Sequence, residues 1–516
     1  MRPLLARDVQ VYRLCEDLTE ALIYSMVIFS PWAFGTTDDW SMWAMNAGGY
    51  VLGVLLAIKL AIRRLKGYRP PRIEKAPTKD SKRSRAMQVL AGLTVAIPVY
   101  CLVGALNARA TYRPEMLGFE YHEFLGWLPA SFDSASTWFV FWCSFALACS
   151  FWAVRDWLMG RSSAEQREYF LNLKHEPSED ASALPGRWRR LLCVMTINGA
   201  LLALEGIVQR SANCPRLLFL VLPSIHQTAD TQFGAYAYRS NAAQYFNLLW
   251  PVSLGFWWEL HRNRGSKSGT HYLPLICASI MAACPIISTT RGGALVAVGL
   301  LAATTFVFGA GQFIERRADP SNVPTGAEPG QRSAPITWQR YGTTVVLGLF
   351  LIGSLTLGFV LGWKTLKPRM AQFKEGYEYR ERMYRNAQPM ADDYPFYGIG
   401  PGAFVYVFQL YRVSTGTYWP PELHNDWLET RISFGWVGSA LILLALSLVV
   451  ISRVLPGTGG LAGYEQFTAM LWLALGGCLI HARFDFPFQV YSVMFLFLMW
   501  CAMLVNLSRK SGRLKK

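Results

Sequence analysis

The sequence predicts an all-α integral membrane protein with about twelve transmembrane helices and one long loop on its outer side. Of its 516 residues, 52% are hydrophobic and 16% are charged, which excludes a soluble globular protein of ordinary composition. A helix needs roughly 20 mostly apolar residues to cross the hydrocarbon layer. About twelve such windows occur, near 18–35, 41–62, 87–106, 134–158, 191–208, 241–260, 273–288, 294–313, 342–363, 432–452, 466–482 and 489–506.

The first span follows a basic, polar leader without a small-residue cleavage site, so we expect an uncleaved membrane protein. The seventh and eighth spans are short and joined by a tight turn, which leaves open that they are re-entrant or broken helices. Stretches around 161–190 and 317–337 have the composition of linkers or short surface helices. A single polytopic membrane domain is therefore expected over 1–516.

The distribution of charge predicts the orientation. With twelve spans and both termini inside, the inner segments hold 32 lysines and arginines and the outer segments hold 16, of which nine lie in the long loop. This asymmetry follows the positive-inside rule. The net charge of +16 is thus a topology signal, and no nucleic-acid partner is expected.

The long outer loop, 364–431, contains more than a connection between two helices needs. Its first part, FKEGYEYRERMYRNAQPM, has helix-forming composition, and a second helix is expected to begin near Pro421 and to carry His424 in its first turns. Between them, Gly398, Gly400 and Gly402 form a run in which the backbone can approach another group closely. The run does not follow a strand, so a dinucleotide site is not indicated.

Arginines concentrate on the predicted outer face, where basic residues are normally rare. Thirteen of the sixteen outer basic residues are arginine, and a guanidinium binds phosphate oxygens through two parallel hydrogen bonds. Single arginines at helix ends are usually headgroup anchors, but several around one site would suit a diphosphate. The candidates are Arg239, Arg291, Arg380, Arg382 and Arg385.

His424 is the candidate general base, because a neutral imidazole can take a proton from an attacking hydroxyl. It is followed by Asn425 and Asp426 in the loop that also carries the arginines. Asp426 or Glu429 could orient the ring or could cap a helix, and the sequence leaves both interpretations open. No cluster of metal ligands at suitable spacing is evident.

The ordered motifs resemble those of the O-antigen ligase and O-antigen polymerase superfamily. They are STTRGG, the RERMY segment, PFYGIGPGAF, HNDWLE, FGWVG and the closing HARFDFPFQ, and the resemblance covers roughly 235–505. It implies a GT-C type glycosyltransferase of the bacterial inner membrane, with cytoplasmic termini, a periplasmic loop and an active site facing the periplasm. Such enzymes move a glycan from an undecaprenyl or other polyprenyl diphosphate to an acceptor hydroxyl without a cofactor or metal.

By position, the resemblance implies that His424 is catalytic and that Arg239, Arg291 and Arg380 bind the diphosphate, with Arg382 competing with Arg380. Asn425, Asp426 and Glu429 would support the site. After Arg239 the family has an NPN-like segment, whereas this chain reads SNAAQ. The implied partners are a polyprenyl-diphosphate-linked glycan donor, a glycan or lipid acceptor, and membrane lipids.

Three alternatives stay open at this point. A polymerase of the same superfamily would share these motifs. A metal-dependent transferase could use Asp38 and Asp39 in the first outer loop, although these residues could equally flank the second span. A lipid-linked glycan flippase or polysaccharide transporter would place charge midway through its spans, where this chain has little, so transfer is favoured.

Overall fold

The computed structural model describes residues 3–73, 82–161, 165, 167, 184–262, 269–318, 336–413, 420–454, 461–462 and 464–508. Helices dominate this part of the chain, and the predicted all-α membrane protein is confirmed. Seven of the described helices are long and apolar enough to cross a membrane, and two shorter apolar helices cover Leu273–Ile287 and Tyr491–Asn506. The number twelve remains a prediction.

The described residues contain α-helices along the whole length of the chain. They are α1 (Ala6–Trp32), α2 (Asp39–Leu65), α3 (Lys82–Leu106), α4 (Ser134–Leu158), α5 (Gly186–Ser211), α6 (Arg239–Arg262), α7 (Leu273–Ile287), α8 (Arg291–Ala318), α9 (Ile336–Ala371), α10 (Phe373–Asp393), α11 (Phe404–Val407), α12 (Asp426–Ile451), α13 (Glu465–His481) and α14 (Tyr491–Asn506).

Strands are few and short. In the connection between α3 and α4, β1 (Ala110–Arg113) pairs antiparallel with β2 (Gly118–Tyr121). Elsewhere β3 (Leu461–Ala462) pairs in parallel with β4 (Leu507–Ser508). The hairpin was not predicted, because its four-residue strands lie in a polar connection without a long apolar alternation.

The chain divides into two compact units. Unit one comprises Met1–Val194, Ala371–Gly463 and Leu479–Lys516, and unit two comprises Met195–Met370 and Tyr464–Cys478. In unit one α4 packs against α2, α3 and α14, and α12 packs against α3. Small residues allow the close approach: a Cβ on Gly49 would lie 2.6 Å from the carbonyl oxygen of Ala146. Such contacts are typical of helix packing in membranes.

Charged side chains inside unit one are paired. Lys59 is fully buried, and its Nζ lies 3.0 Å from Glu16 Oε1 and 3.3 Å from Asp156 Oδ2. Asp156 also binds Arg63 at 2.6 Å, and Glu16 binds Arg187 at 2.5 Å. Because a buried charge is costly without a partner, this network fixes the ends of α1, α2, α4 and α5 against one another.

In unit two, α6 is the central helix, since every residue from Ser240 to Glu259 is buried. It packs against α7 and α8. The connection between α7 and α8 is only 288–290, which agrees with the predicted tight turn. At its end a Cβ on Gly293 would lie 2.2 Å from Thr290 Oγ1 and 2.5 Å from Ala243 Cβ. The second glycine of STTRGG is therefore needed for close packing of α8 on α6.

Candidate active site

The glycine run of the long loop is a locked turn in unit one. Gly398, Gly400 and Gly402 have φ of +70°, +99° and +83°, a region that disfavours residues with a Cβ. Each also touches a neighbour: an added Cβ would lie 2.4 Å from Ile432 O, 2.2 Å from Ser131 Oγ and 3.0 Å from Ser136 Cβ, respectively. The predicted close approach is present, and its partner is protein rather than phosphate.

The same turn fits a break in α12. Gly435 has φ +60° and ψ −168° inside the helix, and its added Cβ would lie 2.3 Å from Phe396 O. The amide nitrogens of Trp436 and Val437 donate to Pro395 O and Phe396 O at 2.9 and 3.1 Å. The PFYGIGPGAF and FGWVG motifs thus pack on each other, and they fix the first turns of α12.

His424 lies just before α12 rather than inside a helix. The helix begins at Asp426, and the Asn425 side chain caps it by accepting from Leu428 N at 3.3 Å, so the expected helix start near Pro421 was wrong. An N-cap residue has non-helical dihedrals, so the helix starts only after Asn425. His424 itself has φ +57°, an unusual conformation for a residue with a side chain. Such backbone strain is frequent in functional sites.

The His424 ring is oriented by Asp485. His424 Nδ1 lies 2.9 Å from Asp485 Oδ1, and the ring packs against Phe486 with centroids 4.9 Å apart. The Asp485 side chain is 4% exposed and that of His424 is 25% exposed. Burial by itself would raise the pKa of Asp485, but the hydrogen bond from His424 and the charge of Arg380 hold it well below its usual range.

The pair has a defined direction of proton transfer. An ionised carboxylate can only accept a hydrogen bond, so Nδ1 carries the proton and Nε2 keeps the lone pair of the neutral ring. His481, at the end of α13, lies on the other side of the carboxylate, with Nε2 4.0 Å from Asp485 Oδ2. The arrangement leaves Nε2 of His424 as the atom that can accept a proton.

The sequence left open whether Asp426 or Glu429 orients the ring or caps a helix, and both carboxyls bind backbone amides. Asp426 Oδ2 accepts from Phe488 N at 2.9 Å, and Glu429 Oε2 accepts from Leu423 N at 2.7 Å. The two carboxyls therefore hold the backbone next to His424 and shortly after Asp485. Because Asp426 N also donates to Ala482 O and Asp485 O, the start of α12 is joined to the segment that carries Asp485.

Arg380 and Arg382, the two candidates for one diphosphate-binding position, lie on different sides of α10. Arg380 is partly buried and donates to Phe484 O, next to Asp485, and Tyr384 one turn later donates to His424 O at 2.7 Å. Arg382 and Arg385 are exposed. Residues two apart point to different sides of a helix. Arg380 thus lies beside the His424–Asp485 pair. Arg483 is also near, since its guanidinium lies 5.7 Å from the centre of the Tyr384 ring.

Arg239 and Arg291 belong to unit two. Arg239 is the first residue of α6, and its side chain binds the backbone oxygen and the carboxylate of Asp230. Arg291 is the first residue of α8, directly after the 288–290 turn. Two further arginines of this unit were not singled out from the sequence. Arg369 Nη2 binds Asp230 Oδ2 at 2.8 Å. Arg210 is partly buried, and its Nη1 and Nη2 donate to Ala229 O and Gln232 O, both at 2.9 Å.

Within the described residues no group of three or more histidine, cysteine, aspartate or glutamate side chains is arranged to hold a metal ion. Asp38 occupies the N-cap position of α2 and Asp39 its first turn. Both side chains are exposed. Their placement is that of residues flanking a helix start.

A comparison with protein families agrees with these motifs. Residues 276–443 match the family model described as O-antigen ligase, a segment that contains Arg291, Arg380, Arg382 and His424. This segment is about a third of the chain, and it supports the O-antigen ligase superfamily. For a membrane protein, the match also supports a function of the O-antigen ligase or polymerase type. No curated protein matches the chain.

Proposed function

We propose that this O-antigen ligase-family protein transfers a glycan from a polyprenyl diphosphate, such as undecaprenyl diphosphate, to an acceptor hydroxyl on the periplasmic face of the inner membrane. The observation that carries the proposal is the His424–Asp485 pair, in which a buried carboxylate fixes the ring 2.9 Å away. A base oriented by a second group is the usual arrangement for activating a hydroxyl. The ligase-family match over the same segment supports it.

In this mechanism Nε2 of His424 takes the proton of the acceptor hydroxyl while its oxygen attacks the anomeric carbon. The bond from that carbon to the diphosphate breaks, and the diphosphate leaves with the electron pair. Asp485 stabilises the imidazolium that forms, as a buried carboxylate does beside a histidine base. A single displacement of this kind inverts the configuration at the anomeric carbon.

The proposal assigns the arginines to the leaving group. Cleavage develops negative charge on the diphosphate, which preorganised guanidinium groups stabilise. Arg239, Arg291 and Arg380 are the proposed diphosphate ligands, and Arg382, exposed on α10, is the weaker candidate. Asn425, Asp426 and Glu429 act indirectly, because they hold the backbone on which His424 sits. This chemistry requires neither a metal nor a cofactor.

The test is transfer by the purified protein in lipid nanodiscs. Donor glycan diphosphate lipid is supplied with either a lipid A core acceptor or a second donor molecule, and product on the first acceptor identifies a ligase whereas chain extension identifies a polymerase. His424→Ala should lower turnover about 10²- to 10⁴-fold, the contribution of a general base. His122→Ala is the matched control, since His122 is exposed and its Nε2 lies 3.0 Å from the Thr111 hydroxyl.

Two further results would decide between mechanisms. Full activity in EDTA is expected, and loss of activity with rescue by a divalent cation would favour the metal-dependent alternative. Retained turnover in the double variant His424→Ala, Arg291→Ala would contradict the proposed mechanism outright.

A further inference from the structure

Two arginines of unit two share one carboxylate. Asp230 Oδ2 lies 2.8 Å from Arg369 Nη2 and 3.5 Å from Arg239 Nη1. Arg369 comes from the last turn of α9 and Arg239 from the first turn of α6, so the carboxylate joins two helix ends that are far apart in sequence. A carboxylate between two guanidinium groups occupies the place that phosphate oxygens take in arginine sites.

The bridging carboxylate is more exposed than the arginines that it joins. The Asp230 side chain is 47% exposed, against 16% for Arg239 and 26% for Arg369. Its loop is held without it, because Arg210 donates to the carbonyl oxygens of Ala229 and Gln232. Asp230 can therefore turn toward solvent while the loop keeps its position and Arg239 stays bound to the Asp230 backbone oxygen.

An apolar groove begins beside this pair. It has a volume of about 470 Å³ and is lined on α9 by Leu355, Phe359, Trp363, Leu366 and Met370, and on α7 and α8 by residues including Ile286, Ala294 and Val298. Met370 directly follows Arg369, and Ala294 lies one turn after Arg291. The groove thus runs along about four turns of α9 and ends at basic residues.

We propose that Arg239 and Arg369 bind the phosphate groups of the polyprenyl diphosphate, that the polyprenyl chain lies in the groove between α7, α8 and α9, and that Asp230 is the competing anion that the head group displaces. A basic end on an apolar groove fits an amphiphile with an anionic head, whereas a free anion would gain nothing from the groove. Arg369 is thereby added to the donor site and Asp230 becomes a determinant of its affinity. This inference rests on the proposed function.

The displacement has a clear electrostatic reason. The Asp230 carboxylate carries one negative charge and the diphosphate carries more, so two guanidinium forks bind the diphosphate more strongly. Loss of the Asp230 charge should leave the loop in place, through the contacts of Arg210, and remove the competitor. Loss of Arg369 should remove one fork. The two substitutions break the same ion pair, but they should change donor affinity in opposite directions.

The experiment measures binding rather than turnover. Full-length protein in nanodiscs is titrated with undecaprenyl diphosphate without a glycan, with inorganic diphosphate, and with undecaprenol. Arg369→Ala should weaken binding of the diphosphate lipid about tenfold, the loss of one charge-assisted contact, and Asp230→Asn should tighten it several-fold. Arg369→Lys, which keeps the charge but not the fork, should fall between wild type and Arg369→Ala.

Two controls separate head from tail. Lys367→Ala removes an exposed positive charge from the same turn of α9 and should change affinity by less than about twofold, as expected for a screened surface charge. Ala294→Phe fills the groove and should weaken binding of the lipid and of undecaprenol but not of inorganic diphosphate. Binding of inorganic diphosphate as tightly as the lipid would show a free-anion site and overturn the assignment of the groove.

The decisive outcome is whether Asp230→Asn tightens or weakens binding of the diphosphate lipid. If Asp230→Asn weakens binding as Arg369→Ala does, the ion pair is only a structural contact and the inference is wrong; equal effects of Arg369→Ala and Lys367→Ala would also overturn it. His424→Ala should bind the lipid like wild type. Binding as described without any transfer would contradict the proposed function alone, whereas transfer with unchanged binding by Arg369→Ala would contradict only this inference.

Discussion

The histidine cluster of unit one and the arginine cluster of unit two are held in different ways. His424 is fixed by a carboxylate that is 4% exposed, a strained backbone and a turn of three glycines with no room for side chains. Arg239 and Arg369 are held by a carboxylate that is 47% exposed. A proton acceptor needs fixed geometry, since its efficiency depends on distance and direction. Arginines that bind an anion instead need a carboxylate partner that the anion can displace.

This difference predicts the largest effect for the buried carboxylate. Asp485→Asn should lower kcat about 10²-fold or more, because an amide can present its NH₂ group to Nδ1 and stabilise the wrong tautomer. KM should change less than kcat, since Asp485 acts on the ring of His424. The measurement is kcat and KM for transfer with the variant and with Asp230→Asn.

An equal loss of kcat in the two variants would contradict the difference drawn between the two units. If Asp230→Asn lowered kcat as much as Asp485→Asn, the Asp230 carboxylate would be needed for turnover in the same way as the Asp485 carboxylate. The expected pattern is a kcat defect for Asp485→Asn and a KM change for Asp230→Asn.

The rigidity of unit one should depend on its glycine turn. Gly400→Ala should lower the free energy of unfolding by about 2 kcal/mol or more, because φ of +99° is unfavourable for alanine and its Cβ would meet Ser131 Oγ. Gly92→Ala is the control: Gly92 is helical and an added Cβ meets nothing within 4 Å, so it should be neutral or stabilise by up to about 1 kcal/mol. Thermal unfolding in detergent measures both, and equal midpoints would show that the turn is not strained.

Much of unit one's architecture could be predicted from the sequence, because apolar runs and glycine spacing are local signals. Most of the helices and the glycine turn were evident, whereas the helix expected to carry His424 begins only at Asp426. Asp485 was not identified as its partner, although it lies in the HARFDFPFQ motif, because 61 residues separate the two and only tertiary packing joins them. A lone acidic residue in an otherwise apolar closing segment was the available signal.

The arginine cluster shows the same limit for a different reason. Arg369 was counted among the outer basic residues, but a single arginine at a helix end looks like a headgroup anchor. Its partner Asp230 lies 139 residues earlier, in a loop without a motif. The choice between Arg380 and Arg382 required the helical phase of α10, which the sequence predicts as a helix but does not orient.

That phase can be tested directly. Arg380→Ala should lower kcat/KM about tenfold, since Arg380 lies beside Asp485 and contributes positive charge to the site. Arg382→Ala, two residues along the same helix and exposed, should change it by less than about twofold. The kinetic assay is that of the proposed function, and a larger loss for Arg382→Ala would mean that α10 presents its other side to the donor.

The smallest expected effect concerns pH and the acids around His424. Burial, with the nearby Glu429 and Asp485 carboxyls, raises the pKa of Glu422 to about 8. The folded protein thus keeps a proton on Glu422 that the unfolded chain loses above its ordinary pKa of about 4.5. Its contribution to stability is full below that pKa and falls as pH rises toward about 8. Asp485 has the opposite sign, because its pKa is lowered and its contribution is lost only in acid.

Glu422→Gln should therefore flatten the fall in unfolding midpoint between pH 5 and pH 8.5 and leave the midpoint at pH 5 nearly unchanged, because a glutamine resembles the protonated acid. Thermal unfolding of wild type and variant at pH 5, 7 and 8.5 provides the comparison. Since Glu422 is partly buried beside the His424–Asp485 pair of unit one and Asp230 is half-exposed in unit two, Asp230→Asn should not flatten the curve over this range. A wild-type slope that survives in Glu422→Gln would place the titrating group elsewhere.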